Sequence, residues 1–455
     1  MLLLPILFIG IFLYLQEKKV ASAVIFFFFL SDGFQMIPPE LFNTHLGFDK
    51  PTDFCFIYVV VLFLTGLLKY KDFIPKHDSI GKGIFIFLSA IVLIMGVNWF
   101  VLNVPIKEII QTGRFFFILL AYFLFIRLTR VEVDKIHRIL FPIVILQSLI
   151  FILQVIISEP LLTGYSGMLT MGLPFLRFYN LPLLIYFYVF YSLFQNPYTG
   201  WKKIASNLIL SVTLLLPMHR GLIASFFITI IVASYLQGGL KSIAKYLLIA
   251  GIVIFPLMSI LASRFEKGNT ENDVENVMVG AFKDYAQNND EMFVDGTFLF
   301  RIAHLYERFV YCQENPWNMA FGVGFMVEGS HYTENHLDFK IGLYNEDEGT
   351  IAQVDTSDIA WSNFVIRFGV VGTIAFFFFY GFLFFFFLRN RSINDAIPAL
   401  MYLLLLLITS ISSSQLYTVW MYSILFLATS AVRTKKEEQN NELGNEDSNK
   451  ELIIS

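Results

Sequence analysis

An all-α polytopic membrane protein is the fold class this sequence predicts, and three observations predict it. Apolar residues make up 56% and charged residues 15%, with mean hydropathy +0.65, so most of the chain cannot face water. Apolar runs long enough to cross a hydrocarbon core of roughly 30 Å recur along its length. Lys and Arg fall in alternate connections between those runs. Continuous apolar runs, in place of two-residue alternation, exclude a transmembrane β-barrel. The expected architecture is about thirteen transmembrane helices with one large outward-facing, partly helical loop between the tenth and the eleventh.

Residues 2–16 lack a basic n-region and a small-residue cleavage site, so they read as a retained span. Further spans are expected near 20–37, 53–68, 84–102, 108–128, 138–157, 180–195, 203–218, 220–237, 242–262, 360–388, 395–411 and 415–432. Transmembrane helices one to ten thus occupy 1–261, the loop 262–359, and helices eleven to thirteen 360–432. The tail 433–455 is polar and charged and reads as disordered. One set of connections carries Lys18, Lys19, Lys69, Lys71, Arg127, Arg130, Lys202, Lys203, Arg389, Arg391, Arg433 and Lys435. By the positive-inside rule that set is cytoplasmic, as is the C-terminus, and the long loop faces outward. Cys55 and Cys312 are too few for a disulfide framework or a Cys-based zinc site; both fall on the outer side, which would allow a single bridge, but unpaired apolar cysteines are the expectation.

The loop is the only long polar segment. It opens on an acid-rich run from Glu266 to Glu291 and closes on Asp355-Thr-Ser-Asp358. A helix over Thr297–Gln313 would bring Arg301, His304 and Arg308 to one face at i, i+3 and i+7. Beside them Phe298, Ile302, Leu305, Phe309 and Cys312 form an apolar face, the pattern of a helix lying along a membrane surface. Glu346-Asp-Glu348, His331 and His336 lack the spacing of a metal site, and neither a phosphate-binding Gly-Lys-Ser/Thr loop nor a Gly-x-Ser-x-Gly elbow occurs. No cofactor is expected, and nothing in the charge pattern points to nucleic acid.

Arginine near hydrocarbon is costly, so the arginines at the outer boundary need a reason. Arg114 lies within a span, Arg177 just before one, and Arg220 in a tight turn between two. Arg301 and Arg308 lie in the loop, and Arg367 stands at the mouth of the helix that follows it. Such residues either snorkel to lipid phosphates and pair with loop acids, or grip a polyanionic ligand bidentately.

The order of motifs carries a resemblance. Arg220-Gly221 sits between spans, Arg301 in the long loop, and Pro316 with Gly322-Val-Gly324-Phe325 follows. Asp358 then precedes Gly369-Val-Val-Gly372 by eleven positions, and Arg177-Phe-Tyr-Asn-Leu-Pro182 precedes a middle span. In this the chain resembles the O-antigen polymerase and O-antigen ligase superfamily of bacterial inner-membrane glycosyltransferases. The resemblance covers the C-terminal two-thirds. It implies a metal-independent, inverting transfer of a glycan from an undecaprenyl diphosphate carrier, as in the synthesis of O-antigen, capsule or exopolysaccharide. Its implied partners are undecaprenyl-diphosphate-linked oligosaccharides, membrane lipids, a chain-length regulator and a flippase. The ligase branch has His-Asn where this chain has Asp358-Ile359, which favours the polymerase branch.

A carboxylate suits that position. Inverting transfer needs the acceptor hydroxyl deprotonated as it attacks the anomeric carbon, and arginines can take up the leaving diphosphate's charge. The expected catalytic residues are therefore Asp358, Arg301 and Arg220, with Arg177, Arg114, His304, Arg308 and Arg367 assisting in substrate binding. The alternative for Asp358 is a helix N-cap, and Ser362 lies one turn on along the same face. Three functions stay open at this point: a repeat-unit polymerase, a ligase acting on lipid A–core, and a transporter of lipid-linked sugars.

Overall fold

The computed structural model describes residues 2–42, 50–164, 167–168, 176–179, 181–238, 275–283, 297–345 and 350–454. These residues are mainly helical, the strands being two antiparallel pairs of two residues each. In chain order the helices are α1 (Leu3–Leu15), α2 (Lys19–Leu30), α3 (Pro51–Lys69) and α4 (Ser79–Phe100). Next, α5 (Ile106–Gly113) runs through a tight 3-10 stretch into α6 (Ala121–Phe125), followed by α7 (Arg130–Ile157), α8 (Ile185–Gln195), α9 (Gly200–Leu215) and α10 (Arg220–Gly238). The loop contributes α11 (Thr297–Gln313), α12 (Pro316–Phe321) and α13 (His331–His336). A short α14 (Ala360–Asn363) leads through a π-turn into α15 (Gly369–Arg389), and α16 (Ala396–Thr409) and α17 (Ser423–Ile454) complete the chain.

Among the described residues five stretches are long and apolar enough to cross a membrane: α3, α4, Ile106–Phe125, α7 and Ala360–Arg389. The expected thirteen spans are not matched among the described residues. The spans read at 2–16 and 20–37 are helices of 13 and 12 residues, roughly 18–20 Å long and too short to cross alone. That at 180–195 is an 11-residue helix, and that at 242–262 lies outside the described residues. Apolarity without length explains the difference: α2 and α16 are buried against neighbours along much of their surface, whereas α1 leaves Phe8, Ile9 and Phe12 exposed. Beyond Arg433 the backbone of α17 is helical to Ile454.

The central packing is α4 against α15. Gly83 lets the two backbones close, since a Cβ there would stand 3.0 Å from the Phe379 Cα. Phe87 fills the space next to it, stacked on Phe379 and edge-on to Phe368 and Phe376.

Two ends of the bundle can be told apart by their contacts. At one, Lys19 donates to the Arg127 carbonyl, Arg127 covers the Tyr70 ring, and Arg433 bonds Asp78 and Tyr122. The basic connections of the sequence thus meet there. Helix α7 starts at that end, where Thr129 and Glu132 form a capping box. Its 28 residues carry the chain about 42 Å to Ser158, whose hydroxyl accepts from the Leu176 N–H next to Arg177. The residues singled out for chemistry lie near this second end.

Candidate active site

Helix α11 has the bounds its amphipathic pattern predicts. Its basic face, however, does not lie toward a lipid surface. It packs in register along residues 358–365: Arg301 Nη2 stands 3.9 Å from Asp358 Oδ1, and His304 Nδ1 pairs with Ser362 Oγ at 2.9 Å. One further turn along, the Cys312 thiol points at the Val365 carbonyl. Cys55 and Cys312 are both buried free thiols.

Asp358 is not a cap. Helix α14 starts at Ala360, with Ile359 in the cap position and no side-chain cap bond. Asp358 instead ends a short turn in which the Thr356 hydroxyl accepts its N–H and Asn363 brackets Thr356 by two hydrogen bonds. Its carboxylate is 29% exposed, and its distance from Arg301 exceeds hydrogen-bonding range. An acid held this way is open to a third group.

The turn after α16 fixes this assembly. Ser410 accepts the Ala360 N–H on its carbonyl and the Trp361 indole N–H on its hydroxyl, while the Ser414 N–H donates to the Ser357 carbonyl. Ser412 of the same turn presses on Gly221, where a Cβ would stand 2.1 Å from the serine oxygen. Glycine is needed there for space, and the close approach brings the first turn of α10, with the half-buried Arg220, against the turn that holds Ala360 and Trp361 and within electrostatic reach of Arg301. Burial holds the Arg301 guanidinium below its usual value; Asp358 opposes the shift and Arg220 adds to it. Two cations in mutual repulsion beside one carboxylate form a local excess of positive charge. Two buried nitrogens there, Arg301 Nε and His304 Nε2, have no hydrogen-bond partner among the described residues.

Arg177 stands behind Arg220. It donates from Nε to the Pro217 carbonyl, stacks over Tyr179 at 4.2 Å, and reaches His219 Nδ1 at 3.3 Å. His219 Nε2 faces the Tyr179 carbonyl at 3.1 Å, and a carbonyl only accepts, so the proton is on Nε2 and Nδ1 accepts from Arg177. The arginine therefore buttresses the turn that carries Arg220.

Other expected binding residues have different work. Arg308 is fully buried, pairs with Glu307 at 2.6 Å, donates to the carbonyls of Ile341, Ala352 and Gln353, and lies over Phe339. Desolvation pushes it down to about 10, with Glu307 opposing, so it stays charged at neutral pH. Arg367, 1% exposed, grips Asp355 through two nitrogens at 3.1 and 2.7 Å and donates to the carbonyls of Gly324 and Met326. Arg114 pairs with Asp53 at 2.5 Å. These three hold the fold of their surroundings, which corrects the expectation that they reach a substrate. The reason is common to all: each meets a carboxylate of the chain itself, and Arg308 and Arg367 also meet its carbonyls, which a helical face pattern does not reveal.

The glycines of the resemblance are structural as well. Gly322 and Gly369, both at positive φ, cross so closely that a Cβ on Gly369 would stand 2.5 Å from the Gly322 nitrogen. Their crossing sets α12 against the start of α15. Sequence reasoning missed His219, Ser410 and Ser412; only their place in short turns beside Arg220 and Ile411 could have signalled them. Among the described residues no three His, Cys, Asp or Glu side chains converge on a metal-sized space, and Glu346–Glu348, like most of the acidic run, lies outside those residues. Comparison with protein-family models and with curated proteins finds no match.

Proposed function

We propose that the chain is a polymerase of lipid-linked polysaccharide repeat units. In this reading it moves a growing glycan from a polyprenyl diphosphate to the non-reducing end of a second lipid-linked repeat. The loop end of the bundle is then extracytoplasmic and the basic end cytoplasmic, as the distribution of Lys and Arg favours. The observation that carries the reading is the meeting of Arg301, Arg220 and the underbonded Asp358 at one rim of an apolar helical bundle.

The chemistry follows from the charges. Asp358 takes the proton of the acceptor hydroxyl as its oxygen attacks the anomeric carbon from the face opposite the diphosphate. The bond from that carbon to the diphosphate oxygen breaks, and the configuration inverts. The leaving diphosphate carries away the electron pair, and the guanidinium groups of Arg301 and Arg220 stabilise its growing charge. No protonation of that leaving group is required, so one carboxylate and two cations suffice.

The test is reconstitution. Purified protein given lipid-linked single repeats in detergent should yield a ladder of longer products, and Arg301→Ala or Asp358→Ala should leave single repeats unconsumed. Normal ladders from both variants would refute the assigned roles. A strain lacking the chain should carry single repeats on its final acceptor; long chains stranded on the carrier lipid would instead mark a ligase. Absence of any conversion, together with movement of the lipid-linked sugar across vesicles, would mark a transporter.

A further inference from the structure

The opposite end of the bundle holds a second polar feature that this reaction does not use. A cleft of about 300 Å³ opens where α7, the end of α8, the start of α9, the 390–395 turn and α17 meet. Its walls carry three cations, Arg130, Lys203 and Lys435, each from a different helix. They also carry two carboxylates, Asp134 and Asp395, beside the ring of Tyr191.

Five charges share one small cleft, yet they do not neutralise one another. Among the described residues the only ion pair any of them makes is Arg130 with Glu438, at 3.6 Å and largely exposed, so it contributes little. Lys203, Lys435, Asp134 and Asp395 have no ion-pair partner within 4 Å among those residues. Elsewhere the pattern differs: Arg114, Arg308, Arg367 and Arg433 each hold a carboxylate at 2.7 Å or closer. Asp395 sits at the N-terminus of α16 without capping it.

We infer that this cleft binds a zwitterionic ligand bearing one phosphate and one ammonium. The three cations match the phosphate. The two carboxylates match the ammonium, which gains ion pairing there. In the topology proposed above the cleft belongs to the cytoplasmic end of the bundle, which would meet phospholipid head groups. Trp201 and Ile204, on the same helix as Lys203, are 74% and 71% exposed, an apolar and amphipathic pair typical of a membrane boundary. The same chemistry could be presented by a small soluble phosphoamine. Either ligand, bridging Lys435 to Arg130 and Lys203, would pin the start of the charged extension of α17 to the bundle.

The full chain purified in detergent is titrated with phosphatidylethanolamine, with phosphatidylglycerol and with O-phosphoethanolamine, reading lipid retention by native mass spectrometry and Tm. A preference of about tenfold for phosphatidylethanolamine over phosphatidylglycerol, roughly one added charged contact, assigns the cleft to a lipid head group. A rise in Tm with O-phosphoethanolamine and no lipid preference assigns it to the free ligand. In both cases Asp134→Asn with Asp395→Asn should remove the discrimination for the ammonium, and Lys203→Ala with Lys435→Ala should weaken binding of every phosphate probe. Equal retention of both lipids with no response to O-phosphoethanolamine overturns the assignment, as does discrimination that survives the Asp134→Asn, Asp395→Asn variant.

Discussion

Inside the loop and at its rim, arginines of the same helix face opposite situations. Arg308, in the interior, is wholly buried and donates to a carboxylate and three backbone carbonyls. Arg301, two turns earlier at the rim, is 17% exposed and has, among the described residues, one carboxylate at 3.9 Å and no hydrogen bond from its terminal nitrogens; the Nε of both arginines lacks a partner there. A buried guanidinium with both terminal nitrogens taken up is a structural clamp, because unmaking any of those bonds strands a polar group away from water. One whose terminal nitrogens are left over, held beside a second cation, has capacity for an anion from outside. Engagement of the terminal nitrogens, more than burial or position on a helix, separates the two roles.

That contrast is most easily broken by substitution. Arg308→Met should remove the support of Ile341, Ala352 and Gln353 and leave Glu307 buried without its partner, at a cost of about 3–5 kcal/mol. Protein yield and Tm should both collapse. Near-normal Tm would show that the interior arginine is dispensable and the distinction unsound. Arg301→Gln should do the reverse. A long, partly exposed ion pair contributes about 0–1 kcal/mol, so Tm should hardly move. Loss of a guanidinium facing the leaving group should lower polymer formation by about 10²- to 10³-fold. Asp358→Asn, isosteric and unable to take a proton, should cut it by about 10²- to 10⁴-fold with Tm again unchanged. Measured Tm and product length, side by side, therefore place each residue in one class.

Much of the rim was legible in the sequence. The helical period marked Thr297–Gln313, and the cost of arginine near hydrocarbon singled out Arg220 and Arg301; Arg301 lies 3.9 Å from Asp358 and feels the charge of Arg220. What the period could not give was the partner of each face. Arg301, His304 and Arg308 share one stripe, yet they end against Asp358, Ser362 and backbone carbonyls respectively. Such partners come from segments 33 to 58 residues away, and no local pattern encodes them. Helix number was misread for a related reason: hydropathy reports burial, and α1 and α2 are buried in part by protein rather than by a full membrane crossing.

A smaller effect sharpens the account of how the rim is assembled. Gly221→Ala would put a Cβ against Ser412, forcing α10 away from the turn that holds Asp358. The expected cost is about 1–3 kcal/mol of overpacking, with a loss of product larger than the loss of Tm implies, because Arg220 moves with the helix. Ser412→Gly placed in the same chain should recover both. If the second change recovers Tm alone, Arg220 does not act from the position described.

The smallest effect is confined to acid. Burial holds His304 well below its ordinary value, and the Arg308 charge adds to the shift. In the unfolded chain the same imidazole takes up a proton near pH 6.5, so the unfolded state binds more protons below that point. Stability from the neutral, Ser362-bonded ring is complete above about pH 6.5 and falls away as pH drops, by at most about 1.4 kcal/mol per pH unit for one proton. His304→Asn should therefore flatten the decline of Tm between pH 7 and pH 5 relative to the parent. The pH dependence of activity, in which the proposed reaction gives His304 no part, should stay where it is. An acid limb that moves with His304→Asn would instead assign the titrating base to the histidine, and the rim would then have to be read as His304 and Ser362 acting on the acceptor with Asp358 only steering Arg301.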